Sequence, residues 1–275
     1  MREPKDEKIG DATIRIRAVP GGWRGAVIRK GEPVNEHRDP DLQTLQTRLR
    51  NEAGKLQPGY VGMDGAIARF LHFFPGGFAD PAFLHDERTY KLAAKAKLDA
   101  ALPLDRAATA SAEDAVALRP AFGTNLLSQF ELMRVRDVLA GANGAAFAQA
   151  AARFTKGDIA AGLAGMTAAI TPLGRSSWPM LTYLPSLWRP ESHLFLKPSV
   201  TQDYARRIGH SFQFDYAADA DASVYEALLD LASATRQSVA ALGPRDGIDI
   251  QSFIWVVGGY KDADLARLER LRASA

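Results

Sequence analysis

Residues 12–31 alternate between apolar and polar side chains, and this period of two predicts β-strands. Ile14 and Ile16 alternate with Arg15 and Arg17, and a Pro-Gly-Gly sequence typical of a turn comes next. We therefore predict a β-hairpin that has one apolar face and one basic face.

The longer apolar patterns in the rest of the chain repeat every three or four residues, which predicts α-helices. One helix is expected to start at Asp39-Pro40, with the aspartate as its N-cap and the proline in its first turn. Another ends at the Pro-Gly-Gly sequence of residues 75–77. Near the C-terminus, Ser223 and Glu226 have the spacing of a capping box and predict the start of a further helix.

The composition changes at Thr171, where a segment rich in proline and tryptophan is interpreted as an ordered loop. HLFLKP (residues 193–198) and HSFQFDY (residues 210–216) are interpreted as short strands. We predict a mainly helical α+β fold with an N-terminal β-hairpin, an Ala-rich helical middle and a small α+β C-terminal part. The expected divisions are a disordered lead-in at 1–11, a hairpin plus helical region at 12–170 and an α+β region at 171–275. The alternative is one continuous domain over the last two regions.

Composition and missing motifs exclude several classes of function. The 275 residues include no cysteine, which excludes disulfides, thiolate nucleophiles and cysteine-based zinc sites. The sequence contains neither the P-loop pattern G-x-x-x-x-G-K-[ST] nor the nucleophile elbow G-x-S-x-G. The N-terminus is charged and no apolar run is long enough for a membrane span, so we expect a cytoplasmic protein without membrane contact.

The polar residues indicate no cofactor and no metal site. The five histidines lack metal-ligand spacing, although His72 and His85 would approach each other if their helices form a hairpin. Asp246 and Asp249 form a pair of carboxylates of the kind that binds magnesium in nucleases. A restriction-type nuclease would also have a lysine two residues after Gln251, and this lysine is absent. We therefore favour the interpretation that one or both aspartates cap a helix at residues 247–260.

The leading functional hypothesis rests on the distribution of charge. The formal net charge is +2, but residues 12–31 contain several basic residues and no acidic one, and Trp23 lies near the expected hairpin tip. Cations neutralise phosphates, and an exposed aromatic ring stacks on a base. We predict a nucleic-acid-associated protein whose hairpin binds the phosphate backbone through Arg15, Arg17, Trp23, Arg24, Arg29 and Lys30.

A second hypothesis is an enzyme that acts on an anionic or phosphorylated small molecule. Glu87, Arg88 and Lys91 form a dense polar cluster, in which Glu87 and Lys91 have the four-residue spacing of a helical ion pair. A second group of basic residues flanks the predicted junction between a strand and a helix, where backbone N–H groups favour an anion. The expected anion-binding residues are Arg88, Lys91, Lys95, Lys197, Arg206 and Arg207.

A third hypothesis is a scaffold subunit that binds a protein partner. Trp178 and Trp188 lie in the segment rich in proline and tryptophan. An exposed apolar patch around them would mark an interaction surface.

Two segments resemble a group of uncharacterised bacterial proteins. FLHFFPGGF followed by ERTYK, and RDGIDIQSFIWVV near the C-terminus, are similar to segments of proteins associated with restriction-type defence loci of the McrB kind. The resemblance implies a nucleic-acid-related setting, such as an accessory role in bacterial defence or DNA maintenance. It carries over no catalytic residue.

Overall fold

Four antiparallel strands form the N-terminal part of the chain in a computed structural model that describes residues 4–273. They are β1 (Glu7–Ile9), β2 (Ala12–Val19), β3 (Gly22–Arg29) and β4 (Glu32–Asp39), paired in the order β1-β2-β3-β4. The predicted hairpin is confirmed as β2 and β3. The predicted lead-in is wrong for residues 7–9, which pair with β2, whereas residues 1–3 lie outside the described part.

One face of this sheet is covered by helix α1 (Leu42–Lys55). The period of two turns Ile14 and Ile16 towards the helix, where they pack with its buried residues Leu45 and Leu49. The helix begins later than predicted, because its N-cap is Asp41 and not Asp39, which still belongs to β4.

Fourteen further α-helices follow within residues 4–273. They are α2 (Gly62–Phe73), α3 (Pro81–Phe83), α4 (Tyr90–Ala101), α5 (Leu104–Ala107), α6 (Ala112–Ala117), α7 (Gln129–Ala140), α8 (Gly144–Thr155), α9 (Ile159–Ile170), α10 (Trp178–Trp188), α11 (Pro198–Ile208), α12 (Phe212–Asp215), α13 (Ala222–Ser238), α14 (Gly247–Gly259) and α15 (Asp262–Ala273). A π-helical segment, Leu84–Thr89, joins α3 to α4. The mainly helical α+β class is confirmed, and none of the described helices has the length and apolar character needed to cross a membrane.

The centre of the helical body is α10, in which every residue is buried. The prediction of an ordered loop is therefore wrong for this segment. Its apolar residues surround the whole helix, which is typical of a helix enclosed by others. Trp178 and Trp188 donate from their indole N–H groups to the carbonyls of Ala217 and Leu102, so both rings are held inside the core. Neither ring is therefore available for the exposed patch that the scaffold hypothesis expects, and a protein partner stays a prediction.

Neither predicted C-terminal strand forms. Residues 193–197 belong to no helix or strand and are mostly buried, and backbone N–H groups of this segment bind side chains instead of another strand. Leu194 N–H donates to the Tyr225 hydroxyl, and Leu196 N–H donates to the Thr182 hydroxyl. Residues 210–216 contain the short helix α12.

The N-caps near the C-terminus are aspartates. Helix α13 is capped by Asp221, which accepts from the N–H of Ser223, so the predicted capping box is wrong. The predicted helix at residues 247–260 is confirmed as α14. Its N-cap is Asp246, which accepts from the N–H groups of Ile248 and Asp249.

The buried apolar residues of the described part of the chain form two clusters. A small cluster between the sheet and α1 extends from Ile9 to Ala53, and a large one extends from Ala66 to Leu268. The large cluster includes residues on both sides of position 171. This favours the alternative in which the regions 12–170 and 171–275 form one continuous domain, and the division itself stays a prediction. Polar contacts join the two clusters, because Arg50 of α1 pairs with Asp215 of α12.

Candidate functional sites

The uncovered face of the sheet carries a row of arginines. Arg17 of β2 lies directly opposite Arg24 of β3, and Arg24 lies directly opposite Arg38 of β4. All three side chains point away from α1 and are exposed. We call Arg17, Arg24 and Arg38 the arginine row. Arg15 lies on the same face of β2, two residues from Arg17.

Nearby carboxylates balance part of this charge. Asp6 accepts from Arg15 at 2.9 Å and from Arg17 at 3.3 Å, and Glu36 pairs with Arg24. The hydrogen bond from Arg15 is the main reason that the pKa of Asp6 is lowered. Arg38 makes no ion pair within residues 4–273.

The sheet and α1 together remain positively charged. Residues 4–57 contain eleven Lys and Arg residues and eight Asp and Glu residues, a surplus of three, whereas the whole chain has a surplus of two. The positive charge of the protein is therefore concentrated in its N-terminal part.

The structure separates the remaining predicted hairpin residues from this face. Trp23 is only 3% exposed and packs under α1, so it is not available for base stacking. The alternation of β3 that turns Arg24 outward turns Trp23 inward, and this could have been inferred from the sequence. Arg29 lies on the other face of β3 and pairs with Asp11, and Lys30 occupies the turn before β4 with a φ of 52°.

A second polar site lies between the π-helical segment and α14. The guanidinium of Arg88 donates to Asp246 at 2.7 and 2.9 Å and to Asp249 at 2.8 Å. Its hydrogen bond to Asp246 raises the pKa of Arg88. Burial opposes ionisation of Asp246, but the hydrogen bonds and charge of Arg88 outweigh it and lower the pKa of that carboxyl. Arg245 binds the other side of Asp249.

Lys91 is buried next to this cluster and has a full set of acceptors. Its Nζ donates to Glu87 Oε2 at 3.2 Å, to Gln251 Oε1 at 2.7 Å and to Ser252 Oγ at 2.7 Å. The predicted pairing of Glu87 with Lys91 is therefore confirmed. Glu87 Oε1 accepts from the Tyr260 hydroxyl at 2.7 Å. Burial lowers the pKa of Lys91 against the opposing charge of Glu87, whereas burial and Glu87 together raise the pKa of Tyr260.

A cavity of about 410 Å³ opens beside Lys91 and Glu87. Its other walls come from the segment before α7, the segment after α10, helix α14 with Tyr260 behind it, and helix α15. The aromatic residues of the lining are Tyr90, Phe195, Trp255 and Tyr260. Lys197 also lines the cavity, with about a quarter of its side chain exposed, and donates to the carbonyl of Leu126 at 3.2 Å.

The other predicted anion-binding residues do not gather at this cavity. Arg88 is 8% exposed and both of its Nη atoms donate to aspartates, so it faces Asp246 and Asp249 and not the cavity; its anion-binding role stays a prediction. Lys95 donates to Asp99 and to the carbonyl of Trp188. Arg206 and Arg207 both pair with Asp203 of their own helix, α11. Of the predicted set, only Lys91 and Lys197 share the cavity.

Sequence reasoning missed several residues that shape the two sites. Gln251 and Trp255 are four residues apart on α14, a spacing that places both on one helical face, so the predicted helix contained a signal for them. Arg38 had no such signal, because β4 was not predicted and its partner Arg24 lies across a strand pair.

Comparisons add no relative from which a role could be carried over. Within residues 4–273, no group of three or more His, Cys, Asp or Glu side chains is placed to hold a metal ion. Comparison of the chain with protein-family models, with curated proteins and with solved structures found no match. The resemblance to defence-associated proteins therefore stays a prediction.

Proposed function

We propose that the protein binds the phosphate backbone of nucleic acid through the uncovered face of its sheet. The observation that carries this proposal is the arginine row, in which three arginines are neighbours across three strands. Adjacent strands are about 4.8 Å apart, so the three charges lie close together. Arginine is suited to this role because its planar guanidinium binds phosphate oxygens in a bidentate way.

Without a bound anion, the arginine row destabilises the folded sheet. Like charges directly opposite each other on neighbouring strands destabilise a sheet. Asp6 and Glu36 relieve part of the repulsion, whereas Arg38 lacks a carboxylate partner in the described part of the chain. A polyanion would supply the missing negative charge along the whole row. Because these contacts read phosphate and not bases, binding should have little sequence preference.

The first prediction concerns the salt dependence of binding. A variant with Arg17→Glu, Arg24→Glu and Arg38→Glu should bind duplex DNA far more weakly than the parent protein. In a plot of log affinity against log salt concentration, the slope should become shallower by roughly 3, because each phosphate contact contributes about 0.9. Fluorescence anisotropy with labelled duplex DNA, single-stranded DNA and RNA at several salt concentrations would measure both effects.

A control variant distinguishes the effect of the arginine row on binding from the effect of net charge. Lys97, Arg119 and Arg153 are exposed cations of the helical body, and their replacement by glutamate changes the net charge by the same amount. This control should retain most of the affinity and the full slope. Equal losses in both triple variants, or an unaltered affinity in the row variant, would exclude the sheet as the binding surface.

The second prediction is that Arg38→Thr increases stability while it weakens binding. Threonine favours strands, and its introduction removes the like-charge pair with Arg24, so the free energy of unfolding should rise by up to about 1 kcal/mol. Urea denaturation would measure this change, and the anisotropy assay would measure the loss of affinity. A fall in stability would indicate instead that Arg38 supports the fold.

A further inference from the structure

The cavity beside Lys91 is the strongest unexplained feature outside the arginine row, and the two share no residue. We propose that it binds a planar heteroaromatic anion of about the size of a mononucleotide. A volume of about 410 Å³ is within the range of small-molecule sites, roughly 300–1,000 Å³.

The main support is a hydrogen-bond donor of the cavity lining that has no partner in the described part of the chain. Gln251 is 6% exposed and lines the cavity. Its Oε1 accepts from Lys91 at 2.7 Å, and this bond fixes the orientation of the amide. The amide Nε2 then has no acceptor within residues 4–273. Because this donor is open to the cavity and its orientation is fixed, a ligand acceptor could bind it there without reorganisation of the side chain.

Further donors in the lining also lack partners. The indole N–H of Trp255 and the hydroxyl of Tyr90 make no hydrogen bond within the part of the chain that the structure describes, and both residues line the cavity. The carboxylates, in contrast, are occupied. Glu87 accepts from Lys91 and Tyr260, and Asp86 binds His85 and Arg267. The cavity therefore offers donors and requires a ligand that is rich in acceptors.

The shape and charge of the lining narrow the class of ligand further. Aromatic side chains on several sides favour a flat ring, which packs against their faces. Lys197 has the weakest ion pair among the cations of the lining, since its Nζ lies 4.0 Å from the Glu131 carboxylate, whereas Arg267 pairs closely with Asp86. It is thus placed to bind an acidic group, whereas Lys91 is enclosed and holds Gln251 in position.

Isothermal titration calorimetry with the four common nucleoside 5′-monophosphates would test this inference. We expect at least one of them to bind with a stoichiometry of one. Ribose 5-phosphate and inorganic phosphate should bind at least tenfold more weakly, because they lack the ring. Failure of all four nucleotides to bind at millimolar concentration, or equal binding of ribose 5-phosphate, would overturn the proposal.

Two substitutions locate the binding event in the cavity. Gln251→Glu keeps an acceptor for Lys91 but replaces the free donor by a negatively charged acceptor, so nucleotide affinity should fall by roughly tenfold or more. The fold should be retained, because the new carboxylate would still accept from Lys91, beside Glu87. Lys197→Gln should also weaken binding, whereas Lys95→Gln should not, although both lysines have about a quarter of their side chain exposed.

Nucleotide binding in the cavity can be tested independently of the proposed binding of nucleic acid by the sheet. Gln251→Glu should leave DNA binding unchanged, and the arginine-row variant should leave nucleotide binding unchanged. If neither Gln251→Glu nor Lys197→Gln alters nucleotide affinity, the nucleotide binds elsewhere and the assignment of this cavity is wrong.

Discussion

Replacement of Lys91 by methionine should lower the free energy of unfolding by about 3–5 kcal/mol, because it leaves a buried carboxylate without its counterion. Lys91 and Glu87 are 2% and 4% exposed, so little water reaches the Glu87 carboxylate to replace the lost contact. The acceptors on Gln251 and Ser252 would also lose their donor. Thermal unfolding followed by circular dichroism should show a fall in Tm of roughly 6–20 °C.

The double variant Lys91→Met and Glu87→Gln provides the control. It removes both charges, while the glutamine oxygen can still accept from Tyr260. A large part of the lost stability should therefore return, because the cost arises from the unpaired charge more than from the lost attraction. If the double variant is less stable than either single variant, charge pairing does not explain the role of Lys91.

Replacement of Arg88 by methionine should have an effect of similar size, about 3–5 kcal/mol. Asp249 has no exposed surface, and Asp246 caps α14 while it is held by the same guanidinium. Without Arg88, Asp249 would keep Arg245 as its counterion, and Asp246, the N-cap of α14, would lose the guanidinium that holds it. Chemical denaturation at pH 7 would measure the loss, and an unchanged midpoint would contradict a structural role for Arg88.

Acidification gives a second measure of the same contact. In the folded state the pKa of Asp246 is lowered below its usual value of 3.8. The ionised carboxylate therefore contributes its full stability above pH 3.8, and this contribution is lost as the pH falls through the lowered pKa. The parent protein should thus lose more stability than Arg88→Met below about pH 4. The difference between the two unfolding curves should narrow in that range.

Local patterns predicted much of the fold but few of its contacts. The hairpin could be predicted from the alternation of Ile14 and Ile16 with arginines. In a strand, successive side chains point to opposite faces, so a few residues are enough to identify the apolar face. The pair of Glu87 and Lys91 followed from helical spacing. The two C-terminal strands were wrong because alternation over a few residues does not create a partner strand. At residues 193–198 the buried hydroxyls of Thr182 and Tyr225 took that place, and residues 210–216 contain the short helix α12.

The candidate sites depended on residues far apart in the chain. Arg88 was assigned to anion binding because its neighbours in sequence are polar, but its aspartate partners are 158 and 161 residues away. The exposed Trp23 of the hypothesis became a core residue once α1 covered the sheet. A spacing rule describes only contacts within one element, so it could not identify the partners of Arg88. The alternation of β3 could place Trp23 on the face opposite Arg24, but it could not identify the helix that covers that face.

The sequence by itself therefore determined the helical class, the hairpin and the ion pair within one helix, because hydrophobic period and side-chain spacing act over a few residues. Only the tertiary structure decided which charges remain available. It paired Arg88 with α14, enclosed Lys91, placed Arg38 beside Arg24 and left the Gln251 amide facing a cavity. These outcomes depend on which surfaces meet when separate elements pack, and that is a property of the assembled core.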